Sequence, residues 1–236
     1  MDLRIGIENN VEGRSLAWAL EHPGLFAYGQ TADLALAAMP DACLEYATWI
    51  SQRTYGEDWL ELDPLELLLE DDWTVYVIDE SFHLANEGYE VNAWFLSDWR
   101  PLTVEEIERG LEILAWSRVD LLELVEQLTP DQMSTSHAGE RWAIDGILRH
   151  IGGAEWWYLD RLGAGFPREQ LPKDTFERMN EVRAHMVEVL PGMAGLHKVV
   201  GVDGEFWSPR KLLRRAAWHE RDHFFHILRL AAQAPG

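Results

Sequence analysis

A single cysteine, Cys43, stands among 236 residues, so no intramolecular disulfide can form and a stapled secreted framework is excluded. Its helical surroundings make it a small buried hydrophobe instead. Long apolar runs are missing as well. The chain opens Met1-Asp2-Leu3-Arg4-Ile5 and continues through acidic and polar positions, without the unbroken apolar stretch that a signal peptide or a membrane span requires. A soluble cytoplasmic protein without a membrane partner is the expectation. Basic side chains are scarce: 20 Lys and Arg face 41 Asp and Glu, for a formal net charge of −21. The imbalance sits mainly in residues 1–100, where 20 acidic side chains face 4 basic ones. Such a field repels phosphate backbones at long range and argues against nucleic acid as a partner. Internal repeats and low-complexity tracts are also absent.

What is present is globular: 47% hydrophobic and 26% charged residues suffice to bury a real core. The length exceeds the commonest domain size, and the pattern changes near Asp98–Leu102. The chain therefore reads as a multi-domain α+β protein, with an α+β domain over 1–100 and an all-α domain over 101–236. In the first, strand-like runs cover Leu3–Glu8, Ser15–Ala19, Phe26–Tyr28, Thr74–Asp79 and Tyr89–Leu96. Helical periodicity covers Asp33–Ser51, with a kink or break expected at Pro40 because proline removes a helix hydrogen bond. The acidic, Leu-rich segment Tyr55–Asp72 reads as a loop with one short helix near Pro64–Leu69.

Four helices follow. Thr103-Val104-Glu105-Glu106 forms a capping box that opens a helix running to about Leu128, where Thr129-Pro130 stops it. Its apolar stripe is interrupted only by Arg118. A second helix covers about Ala143–Leu162, ending before Gly163-Ala164-Gly165. A third runs near Asp174–Leu190 and ends at Pro191-Gly192. The fourth begins with Ser208 as N-cap and Pro209 at the first helical position, and continues to about Ala232.

Chemistry concentrates on the last of these. His219 and His223 lie one turn apart, about 40° around the helix axis, so two imidazoles can reach one ion. They share a stripe with Leu212, Ala216, Ile227 and Leu230, which points them inward. Burying two polar rings costs free energy that coordination can offset. His150, beside the small residues Gly153 and Ala154, supplies a third candidate ligand. His226, about 20° from His219 and one turn beyond His223, is open to three readings: ligand, partner of a ligand, or core. Glu155, Asp222 and Glu220 are candidate acceptors for ligand N–H groups, with a solvated surface role the alternative for Asp222 and Glu220. His22, His83, His137, His185 and His197 read as structural or surface groups. Trp156, Trp157, Tyr158 and Trp218 read as packing residues that could also wall a pocket beside the metal.

The run Trp142-Ala143-Ile144-Asp145-Gly146-Ile147-Leu148-Arg149-His150-Ile151 followed by Glu155, together with His219-Glu220-Arg221-Asp222-His223, resembles the helix signatures of the DinB-like metal-binding bundles. That family includes thiol-dependent S-transferases. The resemblance spans about 130 residues and implies a four-helix bundle in which His150, His219 and His223 ligate a divalent metal (Zn, Ni, Fe or Mn) with open positions. Where many relatives continue His-Arg-Gly-Gln, this chain reads His223-Phe224-Phe225-His226, which is more apolar. The implied activity is thiol-dependent transfer or metal-activated hydrolysis on a small molecule, with a low-molecular-weight thiol as co-substrate. The alternative is a non-catalytic metal- or ligand-binding protein whose first domain mediates association. A homodimer is compatible with a broad apolar helix face.

The run His22-Pro23-Gly24-Leu25-Phe26-Ala27-Tyr28-Gly29-Gln30-Thr31-Ala32-Asp33-Leu34-Ala35-Leu36 resembles the HicB-like domain over about 50 residues. It implies a small antiparallel sheet plus one helix, and the masking of a partner such as an RNA-cleaving toxin, which an acidic surface would suit. The other reading is an accessory domain that covers the bundle or builds a dimer interface. Pro40 departs from that pattern, and no DNA-reading element accompanies it.

Overall fold

The computed structural model describes residues 2–55 and 59–233. Contacts divide the chain into two compact units, Met1–Arg100 with His197–Lys211 and Pro101–Leu196 with Leu212–Gly236.

The first unit begins with strands β1 (Asp2–Val11), β2 (Arg14–Ala19) and β3 (Phe26–Gly29), then helix α1 (Ala32–Ser51) and strand β4 (Glu66–Thr74). These strands form one sheet in the order β3-β2-β1-β4. β1 pairs antiparallel with β2, setting Ile5 opposite Ala19 and Ile7 opposite Ala17. The pairing with β4 is parallel, setting Leu3 opposite Leu67, so the sheet is mixed rather than antiparallel as expected. Leu3, Ile5, Ile7, Leu16 and Trp18 lie in the core.

Helix α1 starts with Thr31 as N-cap, its hydroxyl accepting from Leu34 N. It buries Ala35, Met39, Cys43, Tyr46 and Ile50, the i, i+3 and i, i+4 spacing of a single face. Pro40 lies inside this helix without ending it. That corrects the expected break: Pro40 is on the exposed side, and burial of its neighbours Met39 and Cys43 holds the helix across the missing hydrogen bond.

A second correction concerns Glu66–Thr74, which is strand β4 and not a loop with a short helix. Its run of leucines followed by acids lacks a strand's alternation, and backbone pairing with β1 decides its conformation. The register shifts where Ile5 faces Leu69 and Gly6 faces Asp71, a bulge that masks the period of two. Strands β5 (Tyr76–Ile78) and β6 (Tyr89–Val91) form a separate hairpin, shorter than the segments Thr74–Asp79 and Tyr89–Leu96 read from the sequence. Residues Leu96–Trp99 form a 3-10 turn instead.

In the second unit come α2 (Val104–Glu126), the single-turn α3 (Pro130–Ser134), α4 (Ile144–Arg161) and α5 (Thr175–Val189). Next, β7 (Val200–Val202) and β8 (Glu205–Trp207) pair as a hairpin that belongs with the first unit. Helix α6 (Pro209–Gln233) closes the described chain. The capping box at Thr103 forms as read: Thr103 N donates to Glu106 Oε2 at 2.8 Å and Glu106 N donates to Thr103 Oγ1 at 3.1 Å. Ser208 caps α6, its hydroxyl accepting from Lys211 N at 3.2 Å. Leu121 and Val125 from α2, Ile144, Ile147, Leu148 and Ile151 from α4, Met179 from α5, and Ile227 and Leu230 from α6 form one apolar cluster. The four long helices therefore share a core. Among the described residues no helix is long and apolar enough to cross a membrane.

Candidate metal centre

His150 lies in the second turn of α4, on the helix whose Ile147, Leu148 and Ile151 are buried in the shared core. His219 and His223 lie mid-α6, between buried Ala216 and Ile227. Packing of these two apolar faces aims the three imidazoles at one point. His219 Nε2 is 3.0 Å from His150 Nε2 and 3.2 Å from His223 Nε2, and the three potential ligand atoms all fall within 4.8 Å of one another. Imidazole nitrogens bound at about 2.0–2.1 Å to one ion stand roughly 2.8–3.4 Å apart, from the octahedral to the tetrahedral arrangement. The two short separations meet that requirement without rearrangement.

Electrostatics favour the same reading. Burial, reinforced by His223, His150 and Arg215, pushes the pKa of His219 well below its ordinary value. Burial, with His150 and His226 adding to it, lowers His223 to about 3. His150 is lowered by burial and by Arg141. All three rings are therefore neutral at pH 7, the form that offers a lone pair to a metal. The Nδ1 of His223 is buried without a hydrogen-bond partner among the described residues. The donor set fits a divalent ion of borderline softness.

Around the cluster, Trp142 lies 4.8 Å from the His150 ring, and Tyr158 and Trp218 lie 5.9 and 5.8 Å from that of His219. Tyr158 and Trp218 thus wall the site, whereas Trp156 and Trp157 line a different cavity. His226 stacks 5.9 Å from His223, and its Nε2 is 2.8 Å from Glu140 Oε2. It lies outside the three-nitrogen cluster and is only half-buried: a carboxylate-paired ring stacked on a candidate ligand, neither ligand nor core.

Glu155 and Glu220 do not serve the histidines. Arg118 Nε and Nη2 donate to Glu220 Oε2 at 2.9 and 2.7 Å, and Nη2 reaches Glu155 Oε2 at 3.2 Å. Arg183 donates to both carboxylates as well, through Nη2, at 3.2 and 3.0 Å. One residue from each long helix thus meets in a buried four-charge knot. Glu220 is only 1% exposed, which corrects its reading as a surface residue. One step along α6 from His219 rotates the side chain by about 100°, from the imidazole cluster to the arginines. Arg118, the interruption in the stripe of α2, was the signal: a buried guanidinium requires buried carboxylates. Asp222 is half-buried.

Residues 113–227 match the model of the DinB superfamily, a span that contains all three histidines and the four-charge knot. No curated protein matches the chain.

Proposed function

We propose that this DinB-like domain is a four-helix bundle that holds one divalent metal ion through His150, His219 and His223. We further propose that it uses the ion in thiol-dependent transfer, or in hydrolysis, on a small molecule. The convergence of three neutral imidazole nitrogens from two helices carries this reading. When bound, such an ion has open positions at which a water or a low-molecular-weight thiol becomes acidic near neutral pH. The chain's own residues supply the setting. His150, His219 and His223 hold the ion. Tyr158 and Trp218 exclude water from the side of His219. The His226 ring stacks beside His223, with Glu140 holding it in orientation. The four-charge knot fixes α4 and α6, and so the spacing of the ligands. We read the N-terminal unit as a HicB-like accessory domain, on the strand-strand-strand-helix-strand order of β1 to β4.

The test is elemental analysis of protein purified without an affinity tag, repeated on His219→Ala. The wild type is expected to carry near-stoichiometric metal and the variant to lose it. Metal retained unchanged in the variant would rule out the ligand set. Conjugation of small thiols to electrophiles, assayed with and without chelator, then separates transfer from hydrolysis. Inactivity across thiols, metals and ester substrates would favour a non-catalytic binding protein.

A further inference from the structure

Away from the three histidines, a cavity of about 750 Å³ opens between the second half of α4 and the segment that leads to α5. Trp156, Trp157 and Phe166 give it aromatic walls, and Arg161, Arg168 and Arg178 bring three guanidinium groups to it against the single carboxylate of Asp160. In a chain of net charge −21, a basic pocket runs against the composition. Among the described residues, neither Arg168 nor Arg178 has a carboxylate in ion-pairing range. Arg178 donates through Nε to Pro172 O at 2.8 Å. Burial and the neighbouring Arg149 lower its pKa, as happens where positive charge gathers without compensation.

The walls are pinned in place. Trp156 Nε1 donates to Phe166 O at 2.9 Å. His185 lies 2.7 Å from Ala164 O through Nε2 and packs edge-on against Phe166 at 5.3 Å. Arg161 stacks over Trp157 at 4.7 Å. The floor contains Gly153, where an added Cβ would meet only Arg178 Nη1, at 3.9 Å. The absent side chain leaves open space.

We infer that this cavity is a second binding site, selective for a small aromatic anion, with Arg178 and Arg168 meeting the carboxylate or phosphate and the tryptophans stacking on the ring. Its volume lies in the range of small-molecule pockets, about 300–1,000 Å³. Planar guanidinium groups suit bidentate oxyanions. The inference stands independently of the metal, because none of the three histidines lines the cavity.

Calorimetric titration with 2-naphthoate and with its neutral counterpart 2-naphthamide tests it. Naphthoate is expected to bind with one-to-one stoichiometry, at least ~10-fold more tightly than the amide, a difference of about 1.4 kcal/mol. Arg168→Gln, at an exposed position, and Arg178→Gln should each shrink that ratio. Gly153→Leu, which favours the helix while filling the floor, should abolish binding of both probes without lowering the melting temperature. His219→Ala should leave naphthoate binding intact. No saturable naphthoate binding at millimolar concentration, equal affinity for the two probes, or indifference to Gly153→Leu would each overturn the site. Loss of binding in His219→Ala would place the ligand at the metal centre instead.

Discussion

The imidazoles of His219 and His223 are kept neutral chiefly by burial, and this couples stability to pH. Their folded pKa values lie below the ordinary 6.5, so between those values and about 6.5 the unfolded chain binds more protons than the folded one. The metal-free protein is therefore expected to lose stability as the pH falls from about 6.5 towards 3, and to show no further gain from these groups above 6.5. Urea melts between pH 4 and 8 check this. In His223→Ala the acid-side slope should be shallower, and an unchanged slope would contradict the assignment. The buried knot makes a second residue-level prediction. Arg118→Met leaves Glu220 with one guanidinium partner in place of two and removes one of those on Glu155, and breaking buried ion pairs of this kind costs about 3–5 kcal/mol. Denaturant unfolding that shows a loss below 1 kcal/mol would mean that water already reaches the knot.

At the level of elements, much was legible because local signals and tertiary packing agree. The Thr103 capping box and the Ser208-Pro209 start announced α2 and α6, and both form. Thr103→Ala is accordingly expected to cost about 1 kcal/mol, read as a shifted urea midpoint at constant slope. The histidine spacing was legible for the same reason: a strong helix fixes its own geometry. Elements whose conformation depends on a distant partner were not. β4 has no alternation of its own and is a strand because β1 is beside it. The hairpin β7–β8 does carry a local signal, since Asp203-Gly204, with φ of 51° and 78°, is a two-residue turn of the kind that joins paired strands. Gly29 depends on a contact close in the chain, with the first turn of α1. An added Cβ there would lie 2.2 Å from the backbone N of Ala35, so Gly29→Ala should force α1 away from β3 and lower the unfolding midpoint. A neutral outcome in the same urea assay would show that this approach is looser than drawn. The four-charge knot stayed hidden because only the fold brings Arg118 within reach of Glu155 and Glu220.

For the molecule as a whole, metal binding should be coupled to folding, because the unfolded chain has no preformed three-imidazole site. Free metal at 1,000 times its dissociation constant adds about 4 kcal/mol, so the melting transition of the second unit should rise with added metal and fall with chelator, and His150→Ala should abolish the response. The chain divides into two compact units, so unfolding followed by a single probe need not be two-state. Tryptophan fluorescence and calorimetry together resolve which transition the metal moves. The most direct measurement is X-ray diffraction from crystals of the metal-loaded protein, with data collected on both sides of the metal's absorption edge. An anomalous peak at about 2.0–2.2 Å from the Nε2 atoms of His150, His219 and His223 is the predicted result. A stoichiometric metal peak elsewhere, with these three nitrogens bound only to one another, would contradict it.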